Sequence, residues 1–151
     1  MDLTFEQATR DDLAALVQLL ADDVLGVDRE DVAVPLNDRY VNAFEAVHRD
    51  PNNELMVVRS GTDLVGLLQL TFIPYLTHTG SWRCLIEGVR IARAYRGQGL
   101  GSQFIEWAIE RARERNCSLV QLTSDKQRPD AIRFYESLGF RASHEGLKLA
   151  L

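Results

Sequence analysis

The sequence predicts one mixed α/β domain built around a central sheet, and three observations support this fold class. Helical and strand-like apolar patterns alternate along the chain, glycines mark turns between them, and 151 residues can bury one sizeable core. The apolar fraction of 46% and the charged fraction of 26% are ordinary for a globular protein. We therefore treat residues 1–151 as a single domain.

The first half of the chain predicts two helices followed by a pair of strands. Apolar residues recur at helical spacing over 10–24 and again over 37–49. The segments ELMVVRS and LVGLLQLTF are rich in apolar residues and are separated by Gly61-Thr62-Asp63, which predicts a hairpin.

The second half predicts a connection, two strand–helix pairs and two closing strands. In chain order these are the connection 73–81, the strand WRCLIEGVRIA, a helix over 100–115, the strand SLVQLTS, a helix from Pro129 to Gly139, and the strands GFRAS and GLKLAL. This order places a central sheet among several helices.

Composition and charge exclude several classes of function. The net charge of −5 disfavours a nucleic-acid binder that depends on a basic surface. The chain has no apolar run long enough to span a bilayer and an acidic start without an apolar signal core, so we expect a cytoplasmic protein without a membrane partner. Cys84 and Cys117 have no metal-ligand spacing, so we expect no metal site and two buried cysteines.

The stretch AYRGQGLGSQF, residues 94–104, places three glycines directly before a helical pattern. The first N–H groups of a helix lack internal partners and its dipole favours negative charge, so glycines at this point suit an anion. Arg90, Arg93 and Arg96 concentrate positive charge just before them. The pattern predicts an anion site, and the alternative is a tight turn whose glycines only relieve strain.

Two common phosphate-binding motifs do not match this stretch. A P-loop requires GxxxxGK[ST], whereas Gly97 is followed by QGLGSQ without a lysine. A dinucleotide-binding GxGxxG motif requires a glycine at the position of Ser102. The segment RGQGLG instead fits the pattern [QR]xxGx[GA].

A second signature, AxxFYxxxGF, follows at Ala131–Phe140. On these two spaced motifs the chain resembles the GNAT (GCN5-related) N-acetyltransferase superfamily, most densely over 82–151. The resemblance implies a mixed, mostly antiparallel sheet of six to seven strands flanked by about four helices. It also implies acetyl-coenzyme A as the cosubstrate, with its pyrophosphate held by the glycine loop.

The resemblance assigns a set of residues to the coenzyme. These are Val89, Ile91, Arg96, Gly97, Gln98, Gly99, Leu100, Gly101, Ser102 and Arg128. The strand 118–124 is expected to splay from strand 82–93 and so to leave backbone groups for the pantetheine arm. Two positions depart from the family pattern, because Arg128 replaces a frequent Asn and Arg93 replaces the usual Pro.

Glu87 and Tyr135 are the predicted catalytic residues. Strand alternation would place Glu87 on one face with Leu85, Val89 and Ile91, where partial desolvation would make its carboxylate a better base, acting directly or through water. The alternative is a glutamate at a sheet margin, paired or solvated, and the resemblance also implies that a strand bulge near residues 88–90 could alter which way Glu87 points. Tyr135 is protonated at neutral pH and would donate to the leaving thiolate, and the Val89 N–H would stabilise the oxyanion.

The acceptor is encoded more weakly than the coenzyme. The segment DAIRFY and the dipeptide SH resemble aminoalkylphosphonate N-acetyltransferases, which implies a small primary amine held near Tyr75, His78 and His144. The alternatives are a protein or peptide acetyltransferase and a non-catalytic acyl-coenzyme A sensor. Edge strands at the C-terminus and the apolar residues of 73–76 would suit a homodimer.

Overall fold

The computed structural model describes residues 2–151. Its strands are β1 (Leu3–Gln7), β2 (Asn53–Ser60), β3 (Asp63–Pro74), β4 (Trp82–Ile91) and β5 (Leu119–Gln121). Its helices are α1 (Leu13–Ala21), α2 (Asp38–Arg49), the single turn α3 (Thr77–Gly80), α4 (Leu100–Glu114) and α5 (Pro129–Ser137). The chain divides into two compact units, Met1–Gln121 and Leu122–Leu151.

The first unit contains a five-stranded sheet in the order β1-β2-β3-β4-β5. The first four strands are antiparallel neighbours, and β5 alone runs parallel to its neighbour, β4. The short turn Gly61-Thr62 closes the β2–β3 hairpin, as predicted. The predicted fold class, a mixed and mostly antiparallel sheet with flanking helices, is confirmed.

Helices cover both faces of this sheet. Leu16 of α1 and Phe44 of α2 share a buried cluster with Val57 of β2, which places these two helices on one face. On the other face, Phe5 of β1 contacts Phe104 of α4, with ring centroids 5.6 Å apart. The core of this unit therefore consists of two apolar layers that meet the sheet from opposite sides.

The sequence analysis missed β1. Residues 3–7 read LTFEQ, in which Leu3 and Phe5 are half-buried and their neighbours exposed. This short period-two alternation was the available signal, and it lies directly before the helical pattern. β1 pairs with residues 56–60 of β2, from Leu3–Ser60 to Gln7–Met56, so its contribution to the sheet is set by long-range pairing.

The two predicted closing strands are wrong. Residues 140–151 form no helix or strand, and the structure has five strands in residues 2–151 instead of six to seven. Leu147, Leu149 and Leu151 do alternate, but each is at least 86% exposed. A strand needs a neighbour for its backbone groups, and no strand of the described chain pairs with this segment.

Of the predicted strand 118–124, only β5 forms a strand in the structure. The two cysteines differ in burial. Cys84 is buried, as predicted, and burial raises the pKa of its thiol to about 12, whereas Cys117 is only half-buried.

No described helix has the length and apolar character needed to cross a bilayer. The single domain, the cytoplasmic location and the homodimer stay predictions.

Candidate active site

The loop between β4 and α4 has the backbone geometry of an anion site. Gly97 and Gly99 have φ of 74° and 79°, which only glycine adopts without strain. A Cβ built on either residue would meet no atom within 4 Å, so the space beside both is open. Gly99 is the N-cap of α4, and the N–H groups of residues 100–102 therefore lack partners within the helix.

Two arginines fix this loop to its surroundings. Arg96 donates from Nε to the Ile91 carbonyl at 2.9 Å and from Nη2 to the Asp22 carbonyl at 3.1 Å. Arg93 donates to the Asp22 carboxylate at 2.8 Å. Arg96 thus links the loop to the end of β4 and to the residue after α1, and Arg93 adds a second bond to that residue. Three guanidinium N–H groups are used in these bonds.

Packing also fixes the start of α4. Leu100 is 1% exposed and Phe104, one turn later, is fully buried. Gly101 and Ser102 are half-buried, whereas Gln98 is exposed and donates from Nε2 to the Ala94 carbonyl at 3.2 Å. The helix therefore begins at a position set by the core, with its first N–H groups beside the open space at the glycines.

A β-bulge at Gly88 changes which β4 residues share a face. Gln69 of β3 pairs with Glu87, but Leu67, two residues earlier in β3, pairs with Arg90. Two residues of β4 thus oppose one of β3, and Gly88 has a φ of 64°. Glu87 and Arg90 share a face, and Ile91 lies on the opposite one, so the prediction that Ile91 shares the face of Glu87 is wrong.

Glu87 is exposed, so the expected partial desolvation is also wrong. The apolar cluster formed by α1 and α2 on this face includes Leu67 but no residue of β4. The neighbouring side chains are polar instead: Gln69 and Thr71 both donate to Asn53 Oδ1, at 3.1 and 2.6 Å. Glu87 therefore stands at the open margin of this face, beside a polar row.

An ion pair that the sequence analysis missed holds the bulge in place. Arg90 Nε lies 2.9 Å from Asp23 Oδ2, and both side chains are only about one-tenth exposed. Asp23 Oδ1 also accepts the N–H groups of Leu25 and Gly26, at 2.8 and 2.6 Å. Arg90 further donates to the Val89 carbonyl at 2.8 Å, which fixes the peptide that follows the predicted oxyanion donor, the Val89 N–H.

The second edge of β4 is only partly paired. β5 is hydrogen-bonded to it between Arg83–Leu119 and Leu85–Gln121 and no further. Over residues 86–91 no strand of the described chain pairs with this edge. Pairing with β5 therefore ends at Leu85, whereas the splay of residues 118–124 from β4 stays a prediction.

Three predicted site residues belong to the second unit. Tyr135 is half-buried in α5, with its ring 5.1 Å from Phe134 and 5.8 Å from Phe140, centroid to centroid. Arg128 is half-buried at the N-cap of α5. His144 is exposed, and its Nδ1 lies 2.7 Å from Ser143 Oγ.

The predicted acceptor residues of the first unit differ in their surroundings. His78 is exposed in α3 and has the left-handed φ of 54°. Tyr75 is half-buried, and the guanidinium carbon of Arg83 lies 3.9 Å above its ring centroid. The sequence analysis did not single out Arg83. Within residues 2–151, no three His, Cys, Asp or Glu side chains form a group that could hold a metal ion.

Comparisons with known proteins agree with this geometry. The model of the Acetyltransferase (GNAT) family matches residues 14–140. The aminoalkylphosphonate N-acetyltransferase of Salmonella typhimurium is 32% identical over 103 residues, which cover 68% of this chain and 66% of that protein. The glucosamine 6-phosphate N-acetyltransferase of Trypanosoma brucei brucei is 36% identical over 88 residues, 58% of each chain.

Similarity to a solved structure extends over nearly the whole chain. The crystal structure of a transcriptional regulator from Bacillus halodurans C-125 has a TM-score of 0.96 and 59% identity, and the match covers 99% of this chain and 100% of that one. By contrast, the chain spans about two thirds of the Salmonella protein and less of the trypanosomal one.

The family match confirms the predicted enzyme class and acetyl-coenzyme A as the acetyl donor. The matched residues include the glycine loop and both sequence signatures. The chain belongs to the GNAT family of acetyl-coenzyme A-dependent N-acetyltransferases.

Proposed function

We propose that this chain transfers the acetyl group of acetyl-coenzyme A to the primary amine of a small molecule, by direct attack within a ternary complex. The loop between β4 and α4 is the observation that carries the proposal. Its left-handed Gly97 and Gly99 stand beside open space, and the unpartnered N–H groups of a fifteen-residue helix follow them. This is the arrangement that binds a diphosphate through backbone groups.

In this proposal the residues from Gly97 to Ser102 hold the pyrophosphate through main-chain N–H groups. Arg96 positions the loop through its bonds to Ile91 and Asp22. The carbonyls of Val89 and Ile91 already accept from Arg90 and Arg96, so we propose that the N–H groups of these two residues face the acetyl thioester and the pantetheine arm. Arg128 is proposed as a further coenzyme contact, because it stands three residues before Ala131 of the second signature, where the family pattern frequently has Asn.

The chemistry requires a base, an oxyanion donor and an acid. Glu87 takes a proton from the ammonium, through water, because its carboxylate is exposed at the margin of the sheet. The amine nitrogen then forms the C–N bond, and the Val89 N–H, at the bulge, stabilises the oxyanion. The C–S bond breaks, Tyr135 protonates the departing thiolate, and the second amine proton leaves to solvent.

A small-molecule acceptor is favoured over a peptide. Two relatives are named for small amines, an aminoalkylphosphonate and glucosamine 6-phosphate. We place the acceptor on the face of the sheet that carries Glu87 and propose Tyr75, His78 and His144 as residues near it. The Bacillus halodurans relative is named as a transcriptional regulator, which suggests DNA binding as another function. A net charge of −5 disfavours a basic DNA-binding surface on this chain.

Glu87→Gln tests the proposal most directly. Loss of a general base lowers kcat/KM by about a hundredfold to ten-thousandfold, whereas the coenzyme loop is untouched. We expect this fall in a free-thiol assay with acetyl-coenzyme A and glucosamine 6-phosphate, together with an unchanged acetyl-coenzyme A Kd by calorimetry. Tyr135→Phe should also slow turnover without weakening acetyl-coenzyme A binding.

The matched control is Glu106→Gln, which removes an exposed carboxylate from α4. It should retain the rate of the unaltered protein. Full activity of Glu87→Gln would refute the assigned base. Tight acetyl-coenzyme A binding without turnover of any small amine would favour a sensor, and turnover confined to peptides would favour the protein acetyltransferase.

A further inference from the structure

Arg83 has an unusual environment at the start of β4. Its guanidinium carbon lies 3.9 Å above the Tyr75 ring, and Nη1 donates to the neutral Gln121 Oε1 at 3.2 Å. No carboxylate of residues 2–151 lies within ion-pair distance of it. A half-buried positive charge is thus held in place without a negative partner.

Other half-buried arginines of this acidic chain are better satisfied. Arg59, Arg90 and Arg111 each face a carboxylate, at 2.6, 2.9 and 2.7 Å. Arg115 also lacks a carboxylate, but it donates to two oxygens, the Pro51 carbonyl and Asn52 Oδ1. Arg83 has a single acceptor, which sets it apart from these four.

Two buried polar atoms without hydrogen-bond partners lie at this end of β4. They are Arg83 Nε and Ser81 Oγ. Buried polar groups in proteins are nearly always paired, because an unpaired one costs about 1–3 kcal/mol. Because Nε is itself buried, an oxyanion beside the guanidinium would accept from the Nη atoms of Arg83, and it would also neutralise the charge.

Arg83 and Glu87 lie on the same face of β4. The register with β3 runs without interruption from Ile73–Arg83 to Gln69–Glu87, so residues 83, 85 and 87 point the same way. Four residues of strand separate the two α-carbons by about 13 Å. The glycine loop lies beyond the other end of β4, so Arg83 is on the acceptor side of Glu87.

From this arrangement we infer that Arg83, stacked on Tyr75, binds an anionic group of the acceptor, so that the preferred substrate is a small amine carrying a phosphate, phosphonate or carboxylate. The inference rests on the proposed function, because it assumes that Glu87 marks the reacting amine. Arg83 acts as a specificity residue that recognises the far end of the acceptor. The guanidinium fork suits such oxyanions, which accept two parallel hydrogen bonds.

Matched amines test this assignment on the unaltered protein first. Glucosamine 6-phosphate and glucosamine share one amine and differ in the phosphate, and 3-aminopropylphosphonate and β-alanine are compared with propylamine. We expect kcat/KM to be about tenfold to a hundredfold higher for each anionic member. The phosphate, phosphonate and carboxylate arms identify which oxyanion is preferred. Equal kcat/KM values within every pair would overturn the inference.

Arg83→Gln then removes the charge while keeping a hydrogen-bonding side chain. We expect KM for the anionic amines to rise about tenfold to a hundredfold, with kcat and the constants for neutral amines nearly unchanged. Arg83→Lys, which keeps the charge but loses the fork, should restore part of the affinity and serves if the glutamine variant does not fold. Unchanged discrimination in both variants would refute the role of Arg83.

The control is Arg115→Gln, because Arg115 also stacks on a ring, with its guanidinium carbon 4.0 Å from the Phe72 centroid, and also lacks a carboxylate. This variant should leave the discrimination between anionic and neutral amines intact. Equal losses for all amines in Arg83→Gln would assign Arg83 a structural role only. Absence of turnover with every amine, by contrast, would contradict the proposed function itself.

Discussion

The two ends of β4 use different parts of the polypeptide. After Ile91 the chain exposes backbone: Gly97 and Gly99 are left-handed, and the space where their side chains would stand is open. Before Glu87 the chain exposes side chains, with Arg83 stacked on Tyr75 and bonded to Gln121. We call the glycine loop, residues 97–102, the backbone end, because it offers main-chain N–H groups. We call Tyr75, Arg83 and Gln121 the side-chain end, because it offers an aromatic ring, a guanidinium and an amide.

The difference follows from what each end has to bind. A diphosphate that is common to all reactions of a family can be bound by main-chain N–H groups. Every residue except proline has such a group, and glycines let the ligand approach it closely. An acceptor that differs between enzymes must be distinguished by side chains, whose type and position can change without altering the backbone. The bulge at Gly88 separates the two ends, and Arg90 anchors it to Asp23.

Gly99→Val is expected to break the backbone end most severely. A β-branched residue at a φ of 79° is strained, and its side chain would fill the open space beside the α4 N-terminus. Loss of one or two hydrogen bonds to a charged phosphate weakens acetyl-coenzyme A binding by about a hundredfold. Calorimetric titration of acetyl-coenzyme A measures this change.

Gly61→Val provides the matched control in the β2–β3 hairpin. Gly61 has a φ of 61° and no atom within 4 Å of a built Cβ, so the local strain is comparable. Both variants should lose a similar amount of stability, and only Gly99→Val should lose coenzyme affinity. Similar acetyl-coenzyme A Kd values in the two variants would mean that the glycine loop is only a turn.

Asp23→Ala tests whether the bulge at Gly88 matters more for turnover, and so for the side-chain end, than for coenzyme binding at the backbone end. It leaves Arg90, whose side chain is 12% exposed, without the carboxylate 2.9 Å away, which costs about 3 kcal/mol. We expect a melting temperature lower by about 10 °C and, because Val89 and Glu87 shift, a kcat about tenfold lower. The acetyl-coenzyme A Kd should change less, since Gly97 and Gly99 lie beyond the bulge.

Asp28→Ala controls for the loss of a carboxylate in the same connection, where Asp28 is exposed. It should change neither the melting temperature nor kcat. If Asp23→Ala weakens coenzyme binding and turnover by the same factor, the bulge does not separate two independent ends.

The same contrast explains what the sequence could predict. The glycine loop was predictable, because left-handed positions and an exposed helix start demand glycine at fixed spacing, and its residues are adjacent in the chain. The order of the longer elements from α1 to α5 and the faces of α1, α2 and α4 followed from apolar periodicity, whereas β1 and the end of the chain did not. Glu87 was proposed as the base from its place in a strand, and this role stays a prediction; its exposure was not expected.

The rest depended on contacts between distant residues. The side on which Ile91 lies is set by the bulge, and one extra residue reverses the alternation without any clear mark except Gly88. Asp23–Arg90 and Tyr75–Arg83 join segments whose proximity comes only from strand pairing. The closing strands were predicted from alternation alone, but alternation in 146–151 does not supply a partner strand.

Asp12→Asn should affect stability while leaving both ends of β4 intact. Burial raises the pKa of Asp12, but hydrogen bonds from Arg59 and Thr9 outweigh it, and the pKa lies below its ordinary value. A lowered pKa stabilises the fold above the unfolded value of about 3.9, and the stabilisation is lost as pH falls through the folded pKa. The variant should therefore be about 1–2 kcal/mol less stable at pH 7, where urea denaturation measures the difference.

That difference should shrink as the pH falls below about 4, because the protonated carboxyl no longer holds Arg59 as an ion pair. At pH 7 the acetyl-coenzyme A Kd and the KM for anionic amines should match those of the unaltered protein, since Asp12 lies at the start of α1 and at neither end of β4. A loss of acceptor discrimination in Asp12→Asn would show that lower stability alone can imitate the effect expected of Arg83→Gln. In that case the side-chain end of β4 would no longer be distinguishable from the general packing of the sheet.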